Sequence, residues 1–125
     1  MINTTKFILP GIIFLFTLAS GVWLSNAGKP YNNAIFTLHK LIALGAVVLA
    51  AIQMVKGFKT TGITPVTIGL SIITILAVIA LFATGALMSL DKELYKVWLI
   101  IHQIAPAVIS ITSAAIIYLL TKGQS

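Results

Sequence analysis

The 125-residue chain has no cysteine, no arginine and only two acidic residues, Asp91 and Glu93. Each absence closes off a class of function. Without cysteine there are no disulfides, no thiolate metal sites, no iron–sulfur clusters and no covalently attached c-type haem. Without arginine, and with eight lysines scattered between apolar runs, a net charge of +6 marks membrane faces and not a nucleic-acid patch. Both carboxylates sit in one short polar segment. A span therefore lacks the buried acid that small proton-coupled four-helix exporters generally use to trade protons for a cationic substrate. There is no low-complexity tract, no soluble domain and no internal repeat strong enough to argue from.

What the chain does have is apolar length. Apolar residues make up 59% of it and charged residues 8%, against about half and a quarter in soluble domains. A protein this small cannot hide so much apolar surface from water, so lipid must be its solvent. Four runs are long enough to span a bilayer, at about 7–24, 34–55, 64–90 and 94–120. The first also resembles a signal peptide, with one lysine, an apolar core and Leu18-Ala19-Ser20, but its length favours a retained helix. Pro10 and Pro65 fall in first turns, where a missing N–H does no harm. Asn33 and Asp91 are candidate N-caps, and Gly57 suits the end of the second helix. The expected fold is all-α: a single integral membrane domain over 1–125, built as a four-helix up-down-up-down bundle.

Orientation stays open. The two sides carry four lysines each, Lys6, Lys56, Lys59 and Lys122 against Lys29, Lys40, Lys92 and Lys96, so the positive-inside count decides nothing. Trp23, Tyr31, Tyr95 and Trp98 form an aromatic belt on the side away from the termini.

The only histidines, His39 and His102, lie inside the second and fourth runs. An ionisable residue within a membrane span marks a functional site by default. His39 falls about five residues into its helix and His102 about eight, depths that agree within boundary error. Helices two and four occupy a diagonal of an up-down bundle, so the two imidazoles can face each other across its axis. Small residues follow them on the same faces: Ala43, Ala46 and Ala50 after His39, and Ala105, Ser110 and Ser113 after His102. Helix three adds Ala77, Ala80, Thr84 and Gly85. Such residues leave room for a large group, although they also let membrane helices approach closely. Two imidazoles are too few for zinc. They do complete a six-coordinate iron whose other four ligands come from a porphyrin, so the expected cofactor is one haem b, with metal ligands His39 and His102. Lys40 and Lys96 are placed to meet its propionates, and snorkelling explains either lysine equally well. Met88 is a minor ligand candidate.

The stretch His39-Lys40-Leu41-Ile42-Ala43-Leu44-Gly45 resembles the haem-ligating helices of bacterial four-helix b-type membrane cytochromes, in which a basic residue, apolar residues and glycine follow the histidine. His102 fits the partner ligand. The resemblance implies single-electron transfer in a prokaryotic cell membrane, with a quinone or a redox protein as partner. Trp23, Tyr31, Tyr95, Trp98, Gln103 and Asn32 are candidates to edge a quinone pocket. Many such cytochromes hold a second haem at the opposite face. That pair of histidines is absent here, and only Gln53, Tyr118 and hydroxyls stand in that half. Two other functions compete: a cofactor-free accessory subunit of a membrane complex, whose histidines are satisfied by helix backbone, serine or threonine, and a small transporter. Homo-oligomerisation is compatible with the small size.

Overall fold

The computed structural model describes residues 4–27, 33–90 and 93–122. The fold is all-α. A 3-10 turn, Thr4–Phe7, leads into α1 (Ile8–Ala27), followed by α2 (Asn33–Thr61), α3 (Pro65–Leu90) and α4 (Tyr95–Lys122), with no strand among the described residues. All four helices are long and apolar enough to cross a membrane. Even the shortest, α1 with 20 residues, spans about 30 Å, the thickness of a hydrocarbon core.

The helix ends follow local chemistry. Pro65 opens α3 as expected, behind a reciprocal cap. The Thr67 N–H donates to the Thr64 hydroxyl at 3.2 Å, and the Thr64 N–H donates to the Thr67 hydroxyl at 2.9 Å. This is a capping box with threonine in the place usually taken by glutamate. The end of α2 corrects the expectation. The helix does not stop near Val55; it runs on to Thr61 and closes at Gly62, whose φ is +87° and whose N–H donates to the Phe58 carbonyl at 2.9 Å. Glycine takes this left-handed conformation without a Cβ penalty. Lys56 and Lys59 give the segment the composition of a loop, but exposed lysines extend from the last turns of a helix at little cost. Gly57 is buried within the helix. The proposed Asp91 cap lies outside the described residues.

The helices associate as two units, α1 with α2 up to Gly62, and α3 with α4 from Ile63 onward. In the second unit the Thr74 hydroxyl donates to that of Thr112 at 2.6 Å, and Thr84 meets His102. Ten residues back along α3 match ten residues forward along α4, so the pair is an antiparallel hairpin. Buried positions recur at three-, four- and seven-residue spacing: Pro10, Thr17 and Leu24 on α1, Ala43, Ala46 and Gly57 on α2, Thr67, Leu81 and Thr84 on α3, and Ala105, Thr112 and Ile116 on α4. Many of these are small, which lets backbones come close where hydrocarbon offers no hydrophobic drive to association. The buried hydroxyls of Thr17, Thr84 and Thr112 each donate to a carbonyl one turn earlier, those of Ile13, Ala80 and Val108. Leu9, Leu15, Phe16, Leu41, Leu76 and Ile111 are strongly exposed, as suits a surface that faces acyl chains.

Candidate functional site

His39 stands six residues after the start of α2 and His102 seven after the start of α4. Each ring packs against the helix that precedes its own.

Each ring is held through Nδ1. His39 Nδ1 lies 2.7 Å from Ser20 Oγ. Ser20 Oγ also lies 2.9 Å from the Thr17 carbonyl oxygen, and its single proton serves one of these two partners. His102 Nδ1 lies 2.9 Å from the Leu81 carbonyl oxygen, which can only accept. Thr84 Oγ1 is a second acceptor at 3.2 Å, its own proton being committed to the Ala80 carbonyl at 2.7 Å. His102 Nδ1–H therefore donates to the Leu81 carbonyl, and both rings are held through Nδ1.

A glycine completes each cradle. A Cβ at position 21 would lie 3.1 Å from His39 Cε1, and one at position 85 would lie 3.2 Å from His102 Cε1. Both are tighter than ordinary van der Waals contact, so these glycines give the rings their space. The two cradles share one local pattern. Ala19-Ser20-Gly21 precedes His39 and Ala83-Thr84-Gly85 precedes His102, with the hydroxyl residue 19 and 18 positions ahead of its histidine. Sequence reading missed this correspondence. The available signal was the repeated Ala-(Ser/Thr)-Gly, which carries weight only once a histidine is seen against each copy.

Ala43 and Ala105, expected near a cofactor, are both buried on the histidine side of their helices. Ala105 joins Ala77, Ala80, Ile101, Ile104 and Val108 around a shallow apolar depression of about 220 Å³. That volume is below the roughly 300–1,000 Å³ of typical ligand pockets, so alone it encloses no large group. Lys40 is exposed, and its ammonium stands 4.1 Å from the centroid of the Phe36 ring. Lys96 is exposed as well, and Met88 is half-buried. The belt aromatics separate into two kinds. Trp23 is 62% exposed, as an interfacial tryptophan should be. Trp98 is half-buried, and its Nε1 is shielded from solvent with no acceptor. Gln53 Oε1 is likewise shielded and without a donor.

Among the described residues no three or more His, Cys, Asp or Glu side chains cluster as a metal site. No family model, curated protein or solved structure matches the chain.

Proposed function

We propose that the chain is a b-type membrane cytochrome. His39 and His102 would hold one haem b near one membrane face, and the protein passes single electrons to or from a membrane quinone or a redox protein. Haem supplies the one-electron chemistry. The chain's own residues bind and orient it: Ser20, Leu81 and Thr84 hold the imidazoles by Nδ1, Gly21 and Gly85 make room for the rings, and Lys40 and Lys96 meet the propionates. The observation that carries the proposal is that each ring is held by Nδ1 on the preceding helix, His39 2.7 Å from Ser20 Oγ and His102 2.9 Å from the Leu81 carbonyl oxygen. With Nδ1 engaged in each, Nε2 would be the nitrogen that meets iron.

The visible spectrum of the purified protein tests it. A Soret band should appear, with sharp α and β bands on reduction, and His39→Ala and His102→Ala should each abolish the low-spin signature. A spectrum unchanged by both substitutions refutes the ligand assignment.

The same bonds favour one other function. Histidines satisfied by a hydroxyl and a backbone carbonyl also suit a cofactor-free accessory subunit, because such bonds stabilise helix association on their own. A colourless, stable protein that takes up no added haem decides for the accessory subunit.

A further inference from the structure

Trp98 lies four residues before His102, one turn nearer the start of α4 and on the same helix face. Its Nε1–H is buried without an acceptor. A shielded donor with no partner carries a desolvation penalty, and in native structures it points to an acceptor yet to be identified. Two comparisons within the chain sharpen this. Trp23 is 62% exposed, so its environment is that of an interfacial indole, whereas the Trp98 nitrogen is cut off from that wet layer. In the other hairpin the residue four before His39 is Ile35, also half-buried. A purely apolar side chain thus fills the equivalent place, and the hairpin itself does not call for a donor there. The N–H is additional to what packing needs.

Resting on the cytochrome proposal, we infer that the Trp98 indole N–H donates a hydrogen bond to a carboxylate of the haem, one of its two propionates. Trp98 then stands beside His102 as a haem-binding residue. Its position toward the start of α4 is on the side where the polar edge of a porphyrin has to emerge from hydrocarbon. Lys40 and Lys96 are exposed and contribute screened charge, whereas Trp98 offers a dry, directional donor.

The test compares haem b with its dimethyl ester, which keeps the ring and loses both carboxylates. Each porphyrin is titrated into the full-length protein in detergent, and its affinity is read from the Soret band. Two variants remove the N–H: Trp98→Phe, and Trp98→benzothienylalanine, a sulfur isostere of the same shape placed at position 98 alone. The isostere keeps the experiment decisive if Trp98→Phe misfolds. A hydrogen bond to a charged group predicts that the preference for haem over its ester falls roughly ten- to a hundredfold in the isostere variant. Ultraviolet resonance Raman should also show the wild-type indole becoming hydrogen-bonded when haem binds and not when the ester binds. A preference unchanged in the variant, with wild-type binding intact, overturns the inference and leaves the cytochrome proposal standing. Equal weakening of both porphyrins also overturns it, assigning Trp98 to packing. Failure of the wild type to take up either porphyrin overturns both.

Discussion

The two hairpins solve one problem with different materials. In the first, His39 is held by a side chain, the Ser20 hydroxyl at 2.7 Å. In the second, His102 is held chiefly by a main-chain oxygen, that of Leu81 at 2.9 Å, with the Thr84 hydroxyl a longer 3.2 Å away. A single substitution can remove the first partner and cannot remove the second. The same ring nitrogen is held in both, so the hairpins agree in which atom they engage and differ in how easily its partner is lost.

The largest expected effect treats the hairpins as equals. His39→Ala and His102→Ala should each eliminate low-spin haem absorption. If only one does so, the two-ligand assignment fails and the symmetry between the hairpins has no functional meaning.

Next come the glycines. Gly21→Ala and Gly85→Ala push a methyl group to within 3.1–3.2 Å of a ring carbon. Overpacking of this kind costs about 1–3 kcal/mol, offset by roughly 0.5–1 kcal/mol of improved helix propensity. Gly45→Ala and Gly69→Ala meet nothing within 4 Å and should be neutral or slightly stabilising. Thermal unfolding in detergent ranks the four; a Gly21→Ala protein as stable as Gly45→Ala would show that the cradle is slack.

The hydroxyls probe the asymmetry itself. Ser20→Ala should cost about 1 kcal/mol and loosen the tautomer of His39, by the scale of hydrogen bonds between membrane helices. Thr84→Ala should cost less, because the Leu81 carbonyl stays in place. Ring ¹⁵N shifts report the tautomers directly, and equal responses in the two variants would break the proposed difference. The smallest effect belongs to Thr74→Val, which deletes the 2.6 Å bond to Thr112 and should cost about 0.6 kcal/mol. It should leave both histidines undisturbed.

How much of this could be read beforehand depends on where each signal lies. The four helices were legible because a span is a local property, a run of apolar residues of sufficient length. The end of α2 was not. Lysines at 56 and 59 imitate a loop, and only the positive φ of Gly62 marks the true stop. The histidines stood out as the only ones in the chain, embedded in apolar sequence. Their cradles stood out only in part: Thr84 and Gly85 belonged to the small-residue face of helix three, whereas Ser20 and Gly21 gain meaning only when α1 is seen against His39. Trp98 passed for an interfacial aromatic, since sequence gives the position of an indole and not whether its nitrogen reaches water.

The order of the helices along the chain adds a consequence for biogenesis. Thr17, Thr84 and Thr112 satisfy their hydroxyls within their own helix, so those side chains enter hydrocarbon already neutralised. The imidazoles cannot do this and need a neighbour. In both hairpins the histidine rides on the second helix, while Ser20, or Leu81 and Thr84, ride on the first. A ribosome feeding the chain N-terminus first therefore delivers each partner to the membrane before the ring that will use it.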